Sequence, residues 1–292
     1  MRKVSVHVGE DMRAGIAAGR VRSFARLVQA LTSAGWHIDW RAPDAEPLPF
    51  HITDTAPPMG PQGLVLRRAY AEPFFRLERS VHRWDWDVAH LPFPRRGHGP
   101  HLGQGLAATL RRKLLGQGPV TREGFIFVPL QGRLLDTRSF QSASPLAMLE
   151  ILLAHDPRPI RATLHPKEDY SPAELTALDD LARRSPRLTL GGASQDLART
   201  CDLIATQNSA LAFAGYAAHK PALLFARCDF HHIAASVPRD GLAPALAALN
   251  GPEPPFDAYL HWFLRRHAID VSAEDAAERF AARLATLGWP MN

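Results

Sequence analysis

The feature that most constrains this chain is a run between residues 125 and 225, where short apolar segments alternate with helix-patterned ones. Residues 125–130, 160–164, 188–190, 202–206 and 221–225 are brief, apolar and bounded by Gly, Pro or polar residues, as strands are. Between them, Ser144-Pro145 opens a helix with an N-cap residue and a first-turn proline. Ser171-Pro172-Ala173-Glu174 has the serine and glutamate spacing of a capping box. Residues 195–200 and 209–218 supply two further helices. Five strands alternating with four helices predict a parallel sheet covered on both faces.

Ligands of such sheets bind outside the carboxyl ends of the strands, so those positions carry the chemistry. Gln131 and Gly132 follow the first strand, and His165, Pro166, Lys167 and Glu168 follow the second. Gln207, Asn208 and Ser209 follow the fourth, directly before a helix. All three groups are polar, and the topology sets them on one rim. Asn208 or Ser209 can cap the next helix, whose free N–H groups and dipole suit a phosphate. His165 can donate a hydrogen bond or a proton to a departing phosphate, and Lys167 can neutralise it as a point charge. Taken singly, each has a plainer reading: an Asn-Ser pair before a helix is usually a cap, and a lone His-Pro is usually structural. Their convergence on one rim favours function.

The N-terminal half opens with an alternating strand over 3–8 and a loop over 9–15. A helix over 20–33 has Val21, Phe24, Leu27, Val28 and Leu31 on one face, Gly35 stops it, and 36–41 reads as a second strand. Prolines at 43, 47, 49, 57, 58 and 61 then break the pattern. Residues 67–86 read as a helix carrying Tyr70, Phe74, Phe75, Trp84 and Trp86. Residues 92–119, rich in Gly, Pro and basic side chains with a short helix over 106–115, read as a junction. Two helices are expected over 254–289, the second opened by Ser272-Ala273-Glu274-Asp275. The expected division is an α/β domain over 1–118, a second over 119–250, and C-terminal helices over 251–292 packing across both.

No apolar run approaches the roughly 20 residues of a membrane-spanning helix. The start, Met1 to Gly9, is too short and too alternating for a signal peptide, so a cytoplasmic protein is expected. Cys201 and Cys228 form neither a disulfide framework nor a metal pattern. The net charge of +5 is unevenly placed, with Arg95-Arg96 and Arg111-Arg112-Lys113 in one stretch. Such a strip suits polyanions or peripheral contact with the anionic inner face of the cell membrane, although a solvated linker is the plainer reading. No nucleic-acid-binding signature accompanies the charge.

The blocks Val128-Pro129-Leu130-Gln131, Thr163-Leu164-His165-Pro166-Lys167-Glu168, Cys201-Asp202-Leu203-Ile204-Ala205-Thr206-Gln207-Asn208-Ser209 and Lys220-Pro221 resemble, in order and spacing, the capsular polysaccharide biosynthesis family, which includes the bacterial Kdo transferases. The stretch from Arg68-Ala69-Tyr70 through Glu78 to Arg83-Trp84 is similar to it too. The resemblance implies an α/β fold of GT-B type, with two Rossmann-like domains and the donor nucleotide held by the C-terminal one at the cleft. It implies that His165 and Pro166 contact the phosphate of a CMP-activated acidic sugar, with Gln207, Asn208 and Ser209 beside it. The expected partners are therefore a nucleotide sugar and a glycan or lipid-linked acceptor, with no nucleic acid and no further cofactor. The chain is short for this group and its N-terminal half diverges, so the general base is not marked. Glu10 and Asp11, on the first strand-to-helix loop, are candidates, and Asp136 is a third; each is equally read as a solvated loop or cap carboxylate.

His231-His232 with Asp229 does not read as a metal site, since adjacent histidines are expected to point in different directions. His231 follows the last strand and is expected to line the donor site. Tyr259, Trp262 and Phe263 have helical spacing and read as packing residues. Two rival functions remain: a non-catalytic nucleotide- or glycan-binding protein of a polysaccharide assembly system, and a sugar-nucleotide epimerase.

Overall fold

The computed structural model describes residues 2–94, 96–99 and 101–291. The chain begins with β1 (Arg2–His7), α1 (Glu10–Ala17), α2 (Arg22–Ser33), β2 (Trp36–Arg41), β3 (His51–Asp54), β4 (Gly63–Arg68), β5 (Phe74–Glu78) and the single turn α3 (Asp87–His90). Next come α4 (Gln104–Leu115), β6 (Ile126–Pro129), α5 (Pro145–His155), β7 (Ile160–Thr163), α6 (Pro172–Arg184), β8 (Leu188–Leu190) and α7 (Ser194–Thr200). They are followed by β9 (Leu203–Thr206), α8 (Ala210–Tyr216), β10 (Ala222–Leu224), β11 (Ala235–Ser236), α9 (Val237–Asp240), α10 (Leu242–Ala248) and α11 (Phe256–Leu260). The chain ends with β12 (Ile269–Asp270) and α12 (Ala276–Thr286). It divides into two compact units, Met1–Leu91 with Trp262–Asn292, and Pro92–His261.

The first unit holds a six-stranded sheet in the order β12-β5-β4-β3-β1-β2. Strands β2, β1, β3 and β4 run parallel, while β5 is antiparallel to β4 and β12 to β5. Val4 to His7 of β1 are all buried, as befits a central strand covered on both faces. Phe24, Leu27 and Leu31 of α2 share their core with Phe280 and Leu284 of α12. Trp36, Phe50 and Trp289 close that core with ring centroids 5.0–5.2 Å apart.

Two local expectations change here. The helix expected over 67–86 is the antiparallel pair β4–β5, in register from Val65 opposite Glu78 to Arg68 opposite Phe75. Pro73 has no N–H for a helix ladder, and Tyr70 turns the chain at φ 67°, so the expected helix yields to a turn. The loop expected over 9–15 is α1, with Glu10 and Asp11 in its first turn, where the helix dipole favours carboxylates.

The units part at 91/92 and 261/262, where the sequence had suggested 118/119 and 250/251. The reason is α4. Ala107, Leu110 and Leu115 are buried, the Gln195 side chain donates to Leu114 O at 3.2 Å, and the Arg199 guanidinium donates to Leu115 O, so α4 is bound to α7. The C-terminal helices are also shared out: α11 belongs to the second unit and α12 to the first.

The second unit holds an all-parallel sheet in the order β11-β10-β9-β6-β7-β8. Its first strand, β6, is central; the chain winds out through β7 and β8, then crosses to β9 and winds out the other way. Strand order therefore reverses between β6 and β9, the point where doubly wound sheets open a crevice. The helices are capped as their sequences dictate. Ser144 Oγ accepts from Ala147 N, and Ser171 with Glu174 forms a reciprocal capping box. No described helix is long and apolar enough to cross a membrane.

Candidate functional site

Gln131, His165 and Gln207 follow β6, β7 and β9, and these strands are neighbours with β6 in the middle. Strands lie about 4.8 Å apart, so the His165 and Asn208 ends are separated by about 10 Å along one edge. Leu130 N donates to Thr163 O at 2.9 Å and Thr206 Oγ1 to Pro129 O at 2.9 Å, which locks the three strand ends together. The loop over 131–143 is sewn onto the same edge. Gln141 forms an antiparallel bridge with Ala226, Arg227 N donates to Phe140 O at 2.9 Å, and Asn208 Nδ2 donates to Arg227 O at 3.1 Å. Glu168 lies directly on Gly132, where a Cβ would fall 2.3 Å from its Oε2, so a larger residue would push that carboxylate away.

Within this rim the side chains differ in how free they are. His165 is exposed, and its backbone N–H donates to Tyr170 Oη at 2.8 Å. Its Nδ1 accepts from Lys167 N at 3.2 Å. Pro166, Lys167 and Glu168 are exposed beside it. Burial pushes the Tyr170 hydroxyl up from its ordinary pKa. Gln207 is 1% exposed and donates Nε2 to Ala143 O at 3.1 Å. Asn208 spends its amide on Arg227 O, and Ser209 Oγ accepts from Leu211 N at 3.3 Å. Ser209 is therefore the cap of α8, a helix of seven residues.

His231 lies past β10, half-buried, with Nδ1 2.8 Å from Cys228 O. Its ring stacks on His232 at 4.5 Å and 16°, so the two histidines face each other instead of diverging. Among the described residues no group of three or more His, Cys, Asp or Glu could hold a metal ion. Tyr259, Trp262 and Phe263 are all buried.

The candidate bases fall elsewhere. Glu10 and Asp11 are exposed on α1, immediately after β1 of the first unit. Asp136 is exposed in the second unit and pairs with Arg133 Nε at 3.0 Å. Asp54, which the sequence does not single out, lies at the carboxyl end of β3 and beside the end of β1, since His7 pairs with Thr53. In this sheet the strand order reverses between β1 and β3. Asp54 lines a cavity of about 320 Å³ with Met12, Phe24, Thr55, Arg67 and Arg68. Burial raises its carboxyl pKa above the ordinary value, with Arg67 pulling the other way. Thr55 next to it sits at φ 60°, a strained conformation for a β-branched residue. The only sequence signal was an Asp closing a four-residue strand, and the prolines on both sides hid it.

No protein-family model and no curated protein matches the chain. Solved structures do. The Thermosulfurimonas dismutans KpsC beta Kdo 2,4 transferase is 14% identical with a TM-score of 0.47, covering 88% of this chain and 89% of that one. Heptosyltransferase WaaC of E. coli, solved with ADP-2-deoxy-2-fluoro heptose, is 12% identical with a TM-score of 0.29, covering 77% of this chain and 88% of that one. The Thermosulfurimonas dismutans KpsC beta Kdo 2,7 transferase is 12% identical with a TM-score of 0.55, covering 99% of this chain and 100% of that one. At such identity the likeness is one of fold, and it agrees with the two α/β units: the chain has a GT-B-like, two-domain Rossmann-type fold.

Proposed function

We propose that this chain is a glycosyltransferase of capsular or surface polysaccharide synthesis, taking a nucleotide-activated acidic sugar, with CMP-linked Kdo the first to test, and passing it to a glycan or lipid-linked acceptor. One observation carries the reading: Gln131, His165 and Gln207-Asn208-Ser209, remote in sequence, end on one rim beside the reversal of strand order. The fold shared with a Kdo transferase supports the donor class. In the proposed reaction the acceptor hydroxyl attacks the anomeric carbon as the bond to the donor phosphate breaks. With Nδ1 accepting from Lys167 N, a neutral His165 carries its proton on Nε2 and donates it to the departing phosphate. Lys167 neutralises the same charge. A carboxylate takes the hydroxyl proton, and Glu10, Asp11 and the half-buried Asp54 are the candidates. Arg112 and Lys113, exposed on α4, offer positive charge to a membrane face where lipid-linked acceptors reside.

Titration with CMP and UDP, followed by assays of donor hydrolysis and transfer, tests the proposal. His165→Ala should lower turnover by about 10²–10⁴-fold with little loss of folding stability. Wild-type turnover in that variant removes the leaving-group role. Nucleotide binding with neither hydrolysis nor transfer across a broad acceptor panel favours a non-catalytic binding protein, and donor conversion without acceptor favours an epimerase.

A further inference from the structure

The rim beside β6 and β9 holds five side-chain atoms that are buried without a hydrogen-bond partner: Gln131 Oε1, Arg138 Nε, Arg138 Nη2, Gln141 Nε2 and Gln207 Oε1. Folded proteins leave few such atoms, and each one asks for an explanation. Arg138 asks most, because a guanidinium is a permanent cation. Among the described residues its side chain has no ion pair or hydrogen bond, and it rests against the Phe140 ring, 4.9 Å from the centroid. Glu168 and Asp136 act on it from a distance, opposed by Arg133, and burial draws its pKa below the ordinary value.

The two nitrogens without a partner are not an arbitrary pair. Nε and Nη2 lie on one edge of the planar guanidinium, and their hydrogens point the same way. That edge takes two oxygens of a carboxylate or phosphate side-on. The surrounding backbone holds it in place. Arg138 N donates to Gln141 Oε1 at 2.8 Å and Gln141 N to Arg138 O at 2.8 Å, so of the Gln141 amide only Nε2 is left without a partner. Gln141 bridges to Ala226, whose N donates to Gln207 O at 3.1 Å, and Gln207 Nε2 reaches back to Ala143 O. Gln207, buried on all sides, is left with one acceptor.

We propose that Arg138 is the oxyanion receptor of this rim: its Nε–Nη2 edge binds two oxygens of one phosphate or carboxylate, Gln141 Nε2 adds a third donor, and Gln131 and Gln207 accept from hydroxyl or amino groups of the same ligand. The proposal rests on the donor reading for the ligand's identity, and on the unpartnered atoms for the site itself. The oxyanion has two sources in a nucleotide-linked acidic sugar: the phosphate that departs, and the carboxylate of the sugar.

The full chain and its Arg138→Gln, Arg138→Lys and Arg138→Met variants are titrated by calorimetry with CMP, with inorganic phosphate and with galacturonate as a free sugar acid. Arg138→Gln is expected to weaken the oxyanion that binds by about tenfold or more, and Arg138→Lys to recover only part, since an ammonium lacks the forked edge. Loss against CMP and phosphate assigns the phosphate; loss against galacturonate assigns the carboxylate. Thermal melts give an independent sign. Arg138→Met removes a half-buried cation whose Nε and Nη2 have no partner, so without ligand it should melt no lower than wild type, and ligand should raise the Tm of wild type alone. A ligand-free Tm well below wild type marks a structural arginine and overturns the proposal. So does equal affinity of Arg138→Gln and wild type, or a wild type that binds none of the three probes at millimolar concentration. Arg138-dependent binding without donor turnover retires the transferase reading and keeps the receptor; turnover with Arg138-independent binding does the reverse.

Discussion

Lys167 presents its backbone N–H to Nδ1 of His165 at 3.2 Å, and in the proposed transfer that contact decides which nitrogen of the ring is left to donate. A neutral imidazole has one donor and one acceptor, so an accepting Nδ1 puts the proton on Nε2. His165→Gln places an amide N–H near the position of Nε2, whereas His165→Asn reaches only as far as Nδ1. Both should lose turnover by about 10²-fold or more because neither passes a proton, and the glutamine variant should lose less. Steady-state kcat at neutral pH makes the comparison. Equal losses in the two variants count against Nε2 as the donor.

Glu78, 3% exposed, is held by Arg76 at 2.6 Å and by Arg283 of α12 at 2.8 Å. These bonds pin the far end of the chain to β5. Glu78→Ala leaves both guanidiniums without their buried anion and should cost about 3–5 kcal/mol in urea unfolding. Arg283→Met should cost less, because Arg76 still neutralises the carboxylate. A loss below about 1 kcal/mol in Glu78→Ala would show that the pair contributes nothing net.

The second unit was legible because its signals are local. Ser144, Ser171 and Glu174 cap the helices they announce, and the alternation of strands and helices follows from period alone. The rim was legible too, since parallel topology fixes which ends of the strands meet. What escaped depends on distance. Trp289 completes a core begun by Trp36, and α4 is claimed by α7 through Leu114 and Leu115; no local pattern announces either. The strands β4 and β5 fall where the sequence reads as a helix with several aromatics, and Pro73 and the turn at Tyr70 decide the matter. The roles of Arg138 and Asp54 are not legible in the sequence for a related reason. A sequence shows the charge of such residues, but their chemistry here comes from burial.

Both cysteines should be inert in the native protein. Cys201 and Cys228 are buried; burial pushes the Cys201 thiol up to about 12 and also drives the Cys228 thiol well above its ordinary value. The thiolate is the reactive species, so alkylation at pH 8 has almost nothing to attack. Iodoacetamide followed by intact-mass spectrometry should find no adduct on the folded chain and two after unfolding in guanidinium, one at each cysteine. Labelling of native protein at the rate of a free thiol would contradict the packing around them.

Asp54 ties stability to pH with a sign that can be worked out. Burial raises its folded pKa above the ordinary 3.8, so between those two values the native state binds more protons than the unfolded chain. Stability therefore falls as pH climbs from 3.8 through the raised folded pKa, and above it the half-buried carboxylate is a standing cost that Arg67 only partly offsets. Asp54→Asn keeps the shape, removes the ionisation and should unfold at higher denaturant than wild type at pH 7, with the difference shrinking toward pH 4. If Asp54 is the base that deprotonates the acceptor, the same variant should lose transfer while donor affinity is kept, so gain of stability and loss of activity appear together. Chemical denaturation at several pH values, with transfer assays on the same samples, reads both. An Asp54→Asn protein that is less stable than wild type at pH 7 would mean the carboxylate is a net structural contributor, and the base would then have to be sought at Glu10 or Asp11.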